Sequence, residues 1–176
     1  MILPLVYYGD PLLRKKSEPV KEINEEVRKL VKDMEETMFA NNGVGIAAPQ
    51  VGVLLRVFIC LIEGDDAEGY PIYGKPKVYI NPVISSPDPE VEQYVDGCLS
   101  IPGIYEKIER PISIEVEAMD INGSLFKEKA AGWKARNIMH ENDHLNGVLF
   151  IDRMVNRARR QAIEMQLKKI KKKYKK

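Results

Sequence analysis

A chain of 176 residues, 44% hydrophobic and 30% charged, suits one globular domain, and no apolar run approaches the roughly 18 residues of a membrane-spanning helix. Its two cysteines, Cys60 and Cys98, are too few for a disulfide framework, which argues against a small secreted scaffold and for a reducing cytoplasm. The net charge of +1 conceals a split: residues 153–176 carry eleven Lys and Arg against one acidic residue, Glu164, leaving residues 1–152 at −9. Such asymmetry suggests a tail that meets something acidic; a solvated helix end is the plainer alternative.

Residues 1–8 have no basic region ahead of their apolar side chains, so they read as folded protein rather than a signal peptide. Ile23, Val27, Leu30, Val31, Met34 and Met38 recur at helical spacing and form one apolar stripe. Asn24 caps this first helix, and Asn41-Asn42-Gly43 stops it. Residues 56–62 read as a buried strand, 63–76 as a Gly-, Asp- and Pro-rich loop, and 77–84 as a strand interrupted by Pro82. Ile112, Ile114, Val116 and Ala118 alternate with polar residues as in a half-buried strand. Asn122-Gly123 then turns the chain into Leu125-Phe126, closing a hairpin. Residues 133–145 form a second helix, stopped by Asn146-Gly147. A third runs from about Asn156 to the end, with Ile163, Leu167, Ile170 and Tyr174 on one face. Without regular βαβ alternation the expected class is α+β: one domain of mainly antiparallel sheets around a central helix, with an N-terminal helix and a basic C-terminal helix. The domain is expected to span 1–176, with 1–152 as its core and 153–176 as the basic helix.

Both histidines of the chain lie in His140-Glu141-Asn142-Asp143-His144. Residues i and i+4 of a helix share a face, so the two imidazoles can meet one ion, and Glu141 stands beside it without replacing a ligand. This is the His-Glu-x-x-His pattern of metal-dependent hydrolases; two solvated histidines on a surface helix are the competing reading. A catalytic site needs a third ligand. Glu164 is one candidate, although it sits among basic residues that can pair with it. Cys98, in Asp96-Gly97-Cys98-Leu99-Ser100, is the other; its thiolate suits Zn²⁺ or Fe²⁺, and a small buried hydrophobe is its bland alternative. Cys60 reads as core. The small residues of 43–52 would let a substrate backbone lie close, and Gln50 offers an amide donor for an oxyanion; a tight turn would also explain them.

Taken together, Gly43–Gln50 (GVGIAAPQ), DGCLS at 96–100 and HENDH at 140–144 resemble the three motifs of the peptide deformylase family, G-x-G-x-A-A-x-Q, E-G-C-L-S and H-E-x-D-H. YGDPLLRKKSEPV at 8–20 and LNGVLFIDR at 145–153 extend the resemblance over nearly the whole chain. It implies that Cys98, His140 and His144 hold one divalent metal ion and that Glu141 is the general acid and base. It also implies that Gln50 and the Leu99 N–H stabilise the oxyanion, that Gly45 contacts the substrate backbone and that Val44 lines a methionine pocket. The implied reaction removes formate from the N-formyl-methionine of newly made polypeptides. The resemblance points to Fe²⁺ as the native ion, with Zn²⁺, Ni²⁺ or Co²⁺ as substitutes, whereas ligand softness alone suits zinc. A cytoplasmic enzyme is implied, with no membrane or specific DNA partner and with the basic C-terminal helix docking at the ribosome.

Two positions depart from the family pattern. Asp96 stands where Glu is usual, and Arg110 is the expected partner of that acid. Met139 replaces the commoner Gln and is expected to face away from the ion. The competing functions are a His-Glu-x-x-His zinc endopeptidase using Glu164, and a non-enzymatic metal- or ribosome-binding module.

Overall fold

The computed structural model describes residues 1–175. Helix α1 (Glu25–Ala40) starts where Asn24 Oδ1 accepts the Val27 N–H at 3.0 Å, with Glu25 and Glu26 at the positive end of the helix dipole. It ends where Asn42 takes a φ of 56° and the Gly43 N–H turns back to the Met38 carbonyl at 2.9 Å.

The chain then enters a five-stranded antiparallel sheet. Its strands are β1 (Gly45–Ala47), β2 (Val57–Asp65), β3 (Pro71–Ser85), β6 (Ser113–Met119) and β7 (Leu125–Ala131), in the order β1-β2-β3-β6-β7. Strands β4 (Val91–Cys98) and β5 (Ile101–Pro111) pair separately as a two-stranded sheet. Helix α2 (Gly132–Leu145) covers one face of the large sheet: Ala135, Ile138, Met139 and Leu145 pack on Phe58, Cys60, Tyr79, Ile114 and Val116. Helix α1 covers the other, where Val27, Val31, Met34 and Met38 meet Ile46, Val57, Ile59 and Ile80. Successive β2 side chains therefore enter opposite cores. That explains why this strand is apolar throughout rather than alternating.

A third apolar cluster joins the small sheet to the C-terminal region, with Ile101, Ile104 and Ile108 against Phe150, Ile163, Leu167 and Ile170. The expected single C-terminal helix is instead two, α3 (Arg157–Ala162) and α4 (Glu164–Lys173). The break falls at Ile163, which is buried in that cluster and turns the chain so that Leu167 and Ile170 reach it too.

Two further expectations need correction. Residues 63–76 are mostly strand: β2 runs to Asp65, β3 starts at Pro71, and only the tip between them turns, with Asp66 Oδ1 accepting the N–H groups of Glu68 and Tyr70 at 2.9 Å each. The arm projects into solvent, with Tyr70, Ile72 and Tyr73 exposed, so it carries no buried stripe. The β4–β5 pair is absent from the sequence reading, because inward positions of β5 hold Glu106 and Arg110 as well as isoleucines. Pro82 does not end its strand: a register shift between Ile80 and Val83 absorbs it, and the Asn81 amide there bonds both backbone groups of Val20.

Candidate metal centre

Helix α2 is anchored where β2 ends. Gly132 has a φ of +59°, and Asp65 Oδ1 accepts the Trp133 N–H at 2.9 Å, so the strand end supplies the cap that the helix lacks locally. With Ala135, Ile138 and Met139 turned into the sheet, the opposite face carries Trp133, Arg136, Asn137, His140, Glu141 and His144. This face is no solvated surface. His140, Glu141 and His144 are 9%, 3% and 1% exposed, and polar groups are buried at such depth only for partners. Met139 faces the core, away from the histidine pair, as expected.

Cys98 arrives from the end of β4. Its Sγ lies 3.4 Å from His144 Nε2, and the ligand atoms of Cys98, His140 and His144 all lie within 4.8 Å of one another, the scale of one coordination sphere. Glu164 is not in this group and pairs with Arg160 at 2.9 Å. His140 Nδ1 lies 3.0 Å from Asp96 Oδ2. A carboxylate can only accept, so Nδ1 carries the proton and Nε2 remains free to bind an ion. Burial acts against charge on His140, but Asp96 and Glu141 together, with the Asp96 and Cys98 contacts, outweigh it and raise the imidazole pKa well above the ordinary value. Burial, reinforced by His140, lowers that of His144. Binding an ion expels any such proton, so metal affinity falls as pH drops.

Behind these side chains runs a chain of charges, with Arg110 and Asp143 buried and Arg153 half-exposed at its outer end. Arg110 donates to Asp143 at 2.9 Å and reaches Asp96 at 3.4 Å, while Arg153 grips both oxygens of Asp143 at 2.6 and 2.8 Å. Arg110 is thus the partner expected for Asp96, but the shorter aspartate lies closer to the histidine than to the arginine.

Glu141 Oε1 is buried and has no hydrogen-bond partner among the described residues. Burial is the main cause that pushes the Glu141 carboxyl up to about 7. An orphaned carboxylate beside two imidazoles and a thiol fits a divalent cation, whose charge such a site lacks on its own. Gln50 is held by its own turn: Oε1 accepts the Ala47 N–H at 2.9 Å. That orientation leaves Nε2 to face Ser100 Oγ at 3.2 Å and Cys98 Sγ at 3.5 Å. A Cβ on Gly45 would stand 2.5 Å from Glu141 Oε2, so only glycine lets β1 approach the helix this closely. Val44, Gly45, Gln50, Cys98, Leu99, His140 and Glu141 line one cleft of about 490 Å³, and His144 lies behind it. Sequence reasoning missed Arg136 and Asn137, which line the same cleft. Their positions four and three residues ahead of His140 on α2 were the signal that could have found them.

A family model described as polypeptide deformylase matches residues 2–160. The chain belongs to the polypeptide deformylase family. The peptide deformylase of Maricaulis maris (strain MCS10) is 42% identical over 163 residues, covering 93% of this chain and 90% of the relative. The crystal structure of the Ehrlichia chaffeensis peptide deformylase in complex with actinonin matches with a TM-score of 0.87 at 40% identity, covering 99% of each chain. That of the Thermus thermophilus peptide deformylase matches with a TM-score of 0.86 at 36% identity, covering 98% of this chain and 99% of the other. As a peptide deformylase, the chain is a metal-dependent hydrolase that removes formyl groups from the N-termini of nascent peptides. Deformylase membership displaces both the endopeptidase and the non-enzymatic alternatives.

Proposed function

We propose that Cys98, His140 and His144 hold one divalent ion in the deformylase cleft and that Glu141 moves the proton during hydrolysis of an N-formyl-methionine amide. The observation that carries this reading is the convergence of the three donor atoms, within 4.8 Å of one another, on the cleft where the Glu141 carboxylate is buried without a partner at Oε1. A divalent ion held there supplies a Lewis acid that polarises the formyl carbonyl and acidifies water. Glu141 accepts the proton of the attacking water and returns it to the departing amine. Gln50 Nε2 and the Leu99 N–H donate to the oxygen of the tetrahedral intermediate. Gly45 leaves room for the substrate backbone, and Val44 flanks the methionine side chain. We take Fe²⁺ as the native ion, with Zn²⁺, Ni²⁺ or Co²⁺ as substitutes. Formate release from a formyl-Met peptide, on protein purified without oxygen and with metal counted in the same sample, tests the reading. No formate at full metal occupancy would reject it.

Asp96 orients His140, and such partners typically contribute 10–100-fold to metal affinity. Asp96→Ala is therefore expected to weaken metal binding by about that factor in a chelator competition, while Asp96→Glu, which restores the family's usual residue, retains it. Equal affinity in all three proteins would count against the assignment.

The whole chain acts as one catalytic domain in this reading, its 1–152 core completed by the basic C-terminal segment that holds α3 and α4, and it works in the cytoplasm, to which its two free cysteines are suited. Among the described residues no helix is long and apolar enough to cross a membrane. We assign the ribosome, rather than specific DNA, to the exposed face of α4, where Lys168, Lys169, Lys171, Lys172 and Lys173 all point to solvent. Deleting this helix would uncover the Ile104–Phe150 cluster, so charge reversal is the cleaner test. Lys168→Glu, Lys169→Glu and Lys172→Glu together are expected to reduce co-sedimentation with ribosomes and flatten its salt dependence. Unchanged co-sedimentation would refute the assignment.

A further inference from the structure

Asp143 directly precedes His144 on α2, and its carboxylate is shared between two arginines. Arg153 Nε donates to Oδ2 at 2.6 Å and its Nη2 to Oδ1 at 2.8 Å, while Arg110 Nη1 donates to Oδ2 at 2.9 Å. The other amino group of Arg110, Nη2, reaches Asp96 Oδ2 at 3.4 Å. Asp96 Oδ1 is already taken by the Gly97 N–H at 2.8 Å, so Oδ2 alone serves both Arg110 and His140 Nδ1, the latter at 3.0 Å. From His140 outward the charges therefore alternate: carboxylate, guanidinium, carboxylate, guanidinium. The Arg110 and Asp143 side chains are 3% and 9% exposed, and Arg153, at 45%, is where the chain meets solvent.

A guanidinium beside a carboxylate favours two parallel N–H···O bonds. Arg110 makes only one to Asp143, because Arg153 occupies the second oxygen. That leaves the Arg110 Nη2 for Asp96. With Arg153 removed, both oxygens of Asp143 open to Arg110, and the two-point pair competes with the contact to Asp96. At 3.4 Å that contact is the longest in the chain and the first to yield. Asp96 then loses its guanidinium partner, and the carboxylate that orients His140 is less firmly held.

We propose that Arg153 is a positioning residue for the metal centre: by occupying Asp143 it keeps Arg110 shared with Asp96, and so holds Asp96 where it leaves His140 Nε2 to the ion. The inference rests on the reading of Cys98, His140 and His144 as the ligands. It adds a residue on the surface of the protein, ten positions past Asp143, that acts on metal affinity through three intervening side chains.

The test loads the wild type, Arg153→Leu, Arg153→Lys, Asp96→Ala and the Asp96→Ala/Arg153→Leu pair with Co²⁺. Partition of the ion against a chelator is followed by the thiolate–cobalt absorption that reports Cys98. Arg153→Leu is expected to weaken Co²⁺ binding about three- to tenfold, less than the roughly 10–100-fold of a residue in direct contact with a ligand. Arg153→Lys, whose point charge cannot close both oxygens, falls in between. In the Asp96→Ala background the Arg153→Leu change is expected to cost no further affinity, because the chain is already cut. An equal loss with and without Asp96 overturns the proposal, since Arg153 then acts by steadying α2. Arg14→Leu is the structural control. Arg14 grips Asp152 on the same short helical turn, Phe150–Arg153, without contacting Asp143, so its loss should leave Co²⁺ affinity at the wild-type level. A loss in Arg14→Leu as large as that in Arg153→Leu overturns the proposal, as does unchanged affinity in Arg153→Leu. Wild type that takes up no Co²⁺ at Cys98 rejects the metal-centre reading itself.

Discussion

Glu141→Ala is expected to lower formate release by about 10²–10⁴-fold, the usual contribution of a positioned acid and base, while metal content stays near that of the wild type. The two halves of this result come from the same geometry. The three proposed metal donors are Cys98, His140 and His144, and removing Glu141 touches none of them. The carboxylate has no structural partner at Oε1 to lose. A buried carboxyl pushed up to about 7 carries a cost in the metal-free fold, so its removal should leave thermal stability unchanged or raised. The sign follows directly: a group whose folded pKa is raised costs the folded state stability as pH climbs through and above its unfolded value, and that cost disappears with the group. Formate release at a wild-type rate from fully metallated Glu141→Ala would remove Glu141 from the mechanism.

The part of the site legible in the sequence is the part written at short range. His140, Glu141 and His144 lie within one helical turn and a half, so spacing alone sets their common face. Gly43–Gln50 reads as a close-approach segment because its residues are small. Cys98 joins the two histidines only through the meeting of β4 with α2, and residue chemistry left it open beside Glu164 until the family resemblance was considered. What lay beyond reach is tertiary throughout. The Asp96–His140 contact spans 44 residues. Arg110 was expected only as the partner of Asp96, while Asp143 and Arg153 look like ordinary surface charges until their pairing shows otherwise.

The fold obeys the same division. Helix α1 and strand β2 announced themselves because an unbroken apolar stripe runs along the helix, beside the buried Asp33 and Thr37, and the strand is apolar from Val57 to Ile62. Strand β5 did not, because Glu106 and Arg110 occupy inward positions, paired with Arg159 and with Asp96 and Asp143. A period of two in burial was present at Ile104, Glu106, Ile108 and Arg110, but a period in hydrophobicity was not. Of the two charges that hid this strand, Arg110 reaches toward the metal ligands, so a requirement that builds the site also obscured the hairpin carrying it.

Gln50→Leu is expected to lower kcat and kcat/KM together by about 10²–10³-fold. An oxyanion donor acts on charge that develops only in the transition state, so the loss should not appear as a raised KM. The structure adds a second consequence. Gln50 Oε1 is the acceptor for the buried Ala47 N–H, and leaving that donor unpaired costs about 1–3 kcal/mol of stability. The measurement must therefore be made on metal-counted, folded protein, with thermal unfolding followed in parallel. Gln50→Glu separates the two effects. It keeps an acceptor for Ala47 and so spares the turn, but it offers no N–H and brings a negative charge toward Cys98 Sγ, which lies 3.5 Å from Nε2 in the native protein. Both variants should lose turnover, and Gln50→Leu should lose more stability. If Gln50→Glu instead keeps wild-type kcat at full metal occupancy, the amide is not the oxyanion donor, and Gln50 serves only to shape the turn that presents Gly45 to the cleft.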